Sequence, residues 1–232
     1  MAAALQTSFD LQGGEMHGVS RADILNRYRR YSTIRSDIQT AALESISNSR
    51  LLAHAKRIGL SDGKILFIEN DVEPTLVYDL ALYTSEPGRT RGIDRYARGR
   101  PSDLPADVAL VLQGLQAARF SVFGTVGRCE PAGVLLEDLM RGGTICLLDE
   151  GLEQSAQPGE VFAMRVAPIE QFVITCGAVV PLDIETFEGI LDFLTDGAAD
   201  IQLADVADHR RFAVSLYGLA IELGLMKFIT YR

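Results

Sequence analysis

A chain of 232 residues that is 47% apolar holds enough hydrophobic material for one large core or two small ones, and its mean hydropathy of +0.12 excludes extended disorder away from the ends. The formal net charge of −9 excludes a uniformly basic polyanion binder. Residues 1–100 carry 14 Lys/Arg against 12 Asp/Glu and residues 101–232 carry 8 against 19, so an anion-binding surface is expected in the first hundred residues and the remainder disfavours nucleic acid as a partner.

Residues 1–19 are Ala-rich, then Gly-rich and polar, without a basic n-region or an apolar stretch of signal-peptide length, and are expected to form a flexible tail. The block 20–100 opens with helical periodicity. Ser20 is a plausible cap, and Ile24, Leu25, Tyr28 and Tyr31, then Ile38, Ala41, Ala42, Leu43 and Ile46, recur at helical spacing. One long helix or two, broken near 32–36, is expected to end at Gly59. Two β-rich runs, 64–69 and 75–82, flank Asn70-Asp71-Val72-Glu73-Pro74 and predict a β-hairpin. Residues 87–101 have the Gly, Pro and Arg composition of a loop or a short, poorly packed helix and mark the internal boundary.

The block 101–232 begins with a helix capped by Ser102 or Asp103, packing Val108, Leu110, Val111, Leu112 and Leu115 and ending near Arg119. Five strand-like segments follow at 120–129, 133–140, 144–149, 160–166 and 171–180, separated by turn signals. In the fourth, Phe162, Met164 and Val166 alternate with Arg165, as in a strand with one wet face. Five short strands predict a small SH3-like or OB-like barrel, because closure removes exposed edges. After Asp183, an N-cap, comes an amphipathic helix that stops at Asp196-Gly197, then a second from about Ala199 to Gly224, with a final strand over 226–231. The nearest approach to a membrane span, 212–231, is interrupted by Glu222 and Lys227, each costing about 2.5–3.5 kcal/mol near a bilayer centre, so no membrane partner is expected.

Cys129, Cys146 and Cys176 form no CxxC pair and each lies in an apolar run, so reduced core cysteines in a cytoplasmic protein are expected. The phosphate-binding patterns Gly-x-Gly-x-x-Gly and Gly-x-x-x-x-Gly-Lys-Ser/Thr are absent, as is the Gly-x-Ser-x-Gly elbow. Only three histidines occur. His17 lies in the tail, His54 sits beside Lys56 and Arg57, and His209 lies four residues after Asp205, where an exposed helical ion pair is the expected reading. No cofactor, metal site or catalytic residue is assigned. The acidic pairs Glu137-Asp138 and Asp149-Glu150 each send their members to opposite strand faces, although members of different pairs converging across the barrel would make a metal- or carboxylate-dependent hydrolase an alternative.

The sharpest binding lead is Arg89, Arg91, Arg95, Arg98 and Arg100, within twelve residues that hold one acid, Asp94. Arg98-Gly99-Arg100-Pro101 resembles the core of an AT-hook, in which an extended Arg-Gly-Arg enters the minor groove, so nucleic-acid binding through this segment is the first alternative. The preferred account is that these arginines pair with carboxylates of the same chain or of a second subunit. The helical arginines Arg27, Arg29, Arg30 and Arg35 admit the same two readings.

Ala117-Ala-Arg-Phe-Ser-Val-Phe, Gly133-Val-Leu-Leu-Glu-Asp-Leu, Leu148-Asp-Glu-Gly-Leu and Gly159-Glu-Val-Phe-Ala-Met-Arg resemble a small β-barrel module of an uncharacterised, conserved family of bacterial proteins without an established activity. The resemblance covers the middle third of the chain. A Cys/His zinc knuckle that follows similar barrels has no counterpart here. The sequence therefore predicts an α+β protein of three parts, the tail 1–19, a helical segment with hairpin and Arg-rich connector over 20–100, and a helix, barrel and closing helices over 101–232. The expected role is a non-enzymatic interaction or regulatory protein, homodimeric through apolar helix faces and contacting an unidentified protein partner.

Overall fold

The computed structural model describes residues 20–85, 88–195 and 202–228; the tail expected at 1–19 lies outside them. Helix α1 (Arg21–Glu44) starts where Ser20 Oγ accepts from Asp23 N at 3.2 Å, the expected cap. It runs unbroken through 32–36, and the break falls at Ser45 instead, whose hydroxyl donates to Ala42 O at 2.6 Å. Helix α2 (Asn48–Arg57) then ends two residues before Gly59.

The expected hairpin is absent. Residues 64–69 form an exposed loop held by a single bridge between Ser61 and Leu66, and residues 75–82 lie inside helix α3 (Glu73–Tyr83). The helix wins because its start is doubly capped. Asn70 Oδ1 accepts from Val72 N and Glu73 N at 3.0 and 3.1 Å, and the Glu73 carboxylate accepts in return from Glu69 N and Asn70 Nδ2 at 2.7 and 3.1 Å. Pro74 adds a residue preset for a first helical turn.

Two short helices follow, α4 (Gly92–Arg98) and α5 (Ala106–Gln116). Helix α5 stands where expected, although Pro105 occupies the cap position and neither Ser102 nor Asp103 does. The five strands are β1 (Arg119–Arg128), β2 (Val134–Asp138), β3 (Thr144–Leu148), β4 (Val161–Ile169) and β5 (Phe172–Leu182), with α6 (Glu150–Ser155) between β3 and β4. They hydrogen-bond in the closed order β1-β2-β3-β5-β4, antiparallel except for the β3–β5 pair, where Leu147 and Leu148 lie beside Val173 and Ile174. The β1–β4 and β4–β5 ladders are the long ones, and bulges between Thr125 and Gly127 and between Met164 and Val166 bend the strands around the ring.

Alternation sorts the strand residues into two cores. Phe123, Leu136, Ile145, Leu147, Met164 and Val166 fill the barrel. The outward sides of β1, β4 and β5 are buried under helices. Phe120, Val122, Ala163 and Val180 pack on α3 and on α9 (Phe212–Glu222), and Ala167, Ile169 and Ile174 pack on α1 and α5. The face of β4 that carries Arg165 is accordingly covered, contrary to the wet face read from its polar residue. Gly114 of α5 shows how close this layer lies, since a Cβ there would stand 2.5 Å from Pro168 O.

After β5, Asp183 caps α7 (Ile184–Thr195), accepting from Thr186 N at 2.6 Å as expected. In place of one further helix there are two, α8 (Leu203–Asp208) and α9, and Leu225–Phe228 forms a 3₁₀ turn where the terminal strand was expected to begin. Residues 229–232 of that strand lie outside the described residues. Two cysteines also depart from expectation. Cys129, just past the end of β1, and Cys146 of β3 are joined in a disulfide, while Cys176 is free and buried. Among the described residues no helix is long and apolar enough to cross a membrane.

Candidate functional site

The most heavily charged buried group lies between the helical layer and the barrel. Arg165 on β4 donates from Nε and Nη2 to the two carboxylate oxygens of Asp79 on α3, at 2.8 and 3.1 Å, with both residues buried. The guanidinium also stacks over Tyr83 and Phe120, 4.8 and 5.6 Å from their ring centroids. Burial opposes the charge on Arg165, but the Asp79 charge and hydrogen bonds outweigh it and hold the guanidinium pKa above its ordinary value. Burial pushes the nearby Cys176 thiol up to about 12 and raises Tyr83 and Tyr217 well above the usual phenol range. This centre therefore keeps its thiol and phenols protonated near neutral pH and supplies cohesion, not a nucleophile.

Of the two acidic pairs, Glu137-Asp138 splits across strand β2 as alternation requires, while Asp149-Glu150 lies beyond β3 at the start of α6. Glu137 points to solvent, whereas Asp138 is buried and accepts from Ser121 Oγ at 2.5 Å and from Met140 N and Arg141 N at 3.1 Å each, with Arg119 Nη2 at 3.3 Å. Those bonds lock the β2–β3 turn. Asp149 caps α6 through Gly151 N and Leu152 N and accepts from Thr175 Oγ1 at 2.9 Å. Both carboxylates proposed for hydrolysis are thus engaged in holding backbone. Among the described residues no group of three or more His, Cys, Asp or Glu is placed to hold a metal ion. His209 lies just past the end of α8, where its Nδ1 accepts from Arg211 N at 3.3 Å.

The arginines of α1 clasp the acidic barrel side. Arg21 pairs with Glu153, Arg29 with Glu150, Arg27 with Glu170 and Arg30 with Asp107, while Arg35 donates to Thr175 O at 2.6 Å. The Arg21 hydrogen bond holds the Glu153 carboxyl below the usual carboxylate range. Pairing within the chain, one of the two readings left open for the helical arginines, is what these four contacts display.

The connector arginines divide. Arg91 closes on Asp94 at 2.7 and 2.9 Å and on Gln116 O at 2.7 Å, tying α4 to the end of α5. Arg98 donates to Thr90 Oγ1 at 3.2 Å, and Arg100 stacks over the Tyr96 ring at 4.4 Å. Between them Gly99 caps α4 with φ −85° and ψ 1°, so this Arg-Gly-Arg is turned and not extended. Arg89 and Arg95 instead line a recess of about 200 Å³ together with Arg50, His54 and Arg57 of α2. Of the α2 residues, the sequence marks His54 and Arg57 only as a basic neighbourhood that disfavours a metal and does not mark Arg50, so none reads from the sequence as part of an anion site. Their spacing of three and four places them on one helix face, which was the available signal, but nothing local says that α4 covers that face. A second recess of about 280 Å³ meets the first at Thr84 and Ser85. Of its five arginines, Arg91, Arg119, Arg141 and Arg165 face carboxylates, Asp94, Asp138, Asp208 and Asp79 respectively, and Arg210 is the fifth.

The loop over 62–69 is the other departure from an ordinary surface. Asp62 Oδ1 accepts from Lys64 N and Ile65 N, Gly63 turns with φ +101°, Ser61 Oγ donates to Ile65 O and Phe67 N bonds to Leu60 O. The turn is therefore well determined, yet it presents Ile65, Leu66, Phe67 and Ile68 at 59, 45, 48 and 46% exposure. Four consecutive large apolar side chains held out from a fixed turn form an exposed apolar patch.

A family model described as "Family of unknown function (DUF7986)" matches residues 22–225. No curated protein and no solved structure matches the chain.

Proposed function

The chain belongs to this family of unknown function, and we propose that it is a non-enzymatic interaction protein that self-associates through the exposed 64–69 segment. The observation that carries this is the fixed, half-exposed run Ile65-Leu66-Phe67-Ile68. The segment is self-complementary. It reads Lys64, four apolar residues, Glu69, so in a two-fold antiparallel apposition the apolar run faces itself and Lys64 of one copy approaches Glu69 of the other, which within its own chain pairs with Lys227 Nζ at 2.9 Å and would share that partner. The apolar stripe of α1, Ile24, Tyr31, Ile38 and Ala42, is buried within the chain, which leaves the loop as the contact in place of the helix faces.

Sedimentation velocity from micromolar to near-millimolar protein tests this. The expected species has twice the 25.3 kDa monomer mass, Phe67→Asp returns it to monomer, and Lys64→Glu weakens it while Lys64→Glu with Glu69→Lys restores it. A monomer throughout, or a dimer indifferent to Phe67→Asp, would overturn the reading.

The order β1-β2-β3-β5-β4, the parallel β3–β5 contact and a helix between β3 and β4 favour an OB-type closure over an SH3-like one. OB folds take oligonucleotides on the strand 2–3 face and the flanking 1–2 and 4–5 loops. Here that ground carries Glu130, Glu137 and Glu170, with Arg21 bonded to Pro131 O of one loop and Arg27 paired with Glu170 of the other. Nucleic acid thus finds less support than a protein partner, at the barrel and also at the connector, where Arg91 is tied inward.

A further inference from the structure

We propose that the recess between α2, the end of α3 and α4 is a binding site for the phosphate group of a small molecule. Dimerisation and this site rest on different surfaces and stand or fall separately. Arg50, Arg57 and Arg95 converge on the recess from two helices, and none of them has a carboxylate partner among the described residues. No described residue lining it is acidic. Elsewhere in this molecule of net charge −9 four of the α1 arginines, Arg21, Arg27, Arg29 and Arg30, and four of the second recess, Arg91, Arg119, Arg141 and Arg165, meet carboxylates. Guanidinium groups gathered without counter-charge repel one another, and an oxyanion that accepts from several of them removes that repulsion through charge-assisted, bidentate bonds.

The rest of the lining suits the same chemistry. Thr84, Ser85 and Thr90 bring hydroxyls to the rim, and Ile46, Ala53 and Ala81 give an apolar wall that excludes water from one side. The arrangement is built in. Gly92 opens α4 so close to α3 that a Cβ would stand 2.7 Å from Ala81 O, and Asp94, the nearest acid of the segment, is already held by Arg91. The volume of about 200 Å³ corresponds to about seven waters at roughly 30 Å³ each, which admits a phosphate with a few further heavy atoms and not a polynucleotide strand. All twelve lining residues fall within 46–95, in the half of the chain whose charge is positive.

Calorimetric titration of the full chain with inorganic phosphate, with glycerol phosphate and with a single-stranded oligonucleotide tests the assignment. Phosphate or its ester is expected to bind, and Arg50→Gln, Arg57→Gln and Arg95→Gln are each expected to weaken it at least tenfold with an unchanged circular dichroism spectrum. Arg98→Gln, outside the recess, leaves binding unaltered. Tighter binding of the ester assigns a phosphorylated metabolite, and tighter binding of the free ion assigns phosphate itself. The proposal is overturned if neither binds, if Arg98→Gln weakens binding as much as Arg95→Gln, or if the oligonucleotide binds and glycerol phosphate cannot displace it.

Discussion

Replacing Asp79 by Ala would leave the Arg165 guanidinium buried and unpaired between α3 and β4, where its two bonds of 2.8 and 3.1 Å go to Asp79. Breaking one partner of a buried pair costs about 3–5 kcal/mol, because the remaining charge cannot recover its hydration. The stacking on Tyr83 and Phe120 survives the change and sets the loss toward the lower figure. With a urea m-value of roughly 3 kcal/mol/M for a chain of this size, a loss of about 4 kcal/mol moves the unfolding midpoint down by about 1.3 M. The double change Asp79→Leu with Arg165→Met removes both charges and keeps the volume, and it is expected to fall within about 1 kcal/mol of the parent or above it. Urea unfolding followed by circular dichroism on the parent, Asp79→Leu, Arg165→Met and the double variant closes the cycle, with Asp79→Ala measured beside them. A cost under about 1 kcal/mol for Asp79→Ala, or a double variant no better than the singles, would refute the claim that mutual neutralisation makes this burial tolerable.

The air-oxidised protein is expected to show no reactive thiol when native, one when denatured without reductant and three after reduction, because Cys129 and Cys146 are bonded and the buried Cys176 thiol, pushed up to about 12, stays protonated. Three thiols on denaturation alone would contradict the pairing. Gly114→Ala should lower stability by about 1–3 kcal/mol through overpacking, since its Cβ would meet Pro168 O at 2.5 Å, and thermal unfolding showing an unchanged midpoint would mean that α5 lies farther from β4 than described.

The barrel was legible in the sequence because its β-rich runs are punctuated by Gly- and Pro-containing turns, a local signal that survives although β4 and β5 are covered on both faces. Helix α3 was not, and its misreading as a strand has a physical cause. Leu76, Val77, Asp79, Leu80, Ala81, Leu82 and Tyr83 are all buried, so a helix surrounded on nearly every side lost the amphipathic period that marks surface helices. The decisive signal was the Asn70-x-x-Glu73-Pro74 cap, which outweighed the β propensity of Val77 and Tyr78. Arg165 was misjudged by the same logic, its polarity implying solvent where its partner stands 86 residues earlier in the chain. At the recess, Arg89 and Arg95 stood out by local density. Arg50 and Arg57 did not, because their approach depends on the turn at Ser45 and on the contact of Gly92 with Ala81, neither of which periodicity encodes.

The clasp of α1 on the barrel also sets an order of events during synthesis. Arg21, Arg29, Arg35 and Gln39 meet acceptors that lie 132, 121, 140 and 137 residues downstream. At ~5–20 residues per second, the ribosome takes roughly 6–28 s to add such a stretch. The clasp of α1 on α6 and β5 therefore closes only after those elements have been translated, although the α1 stripe also packs with residues of α3, α4 and α5 that are made earlier.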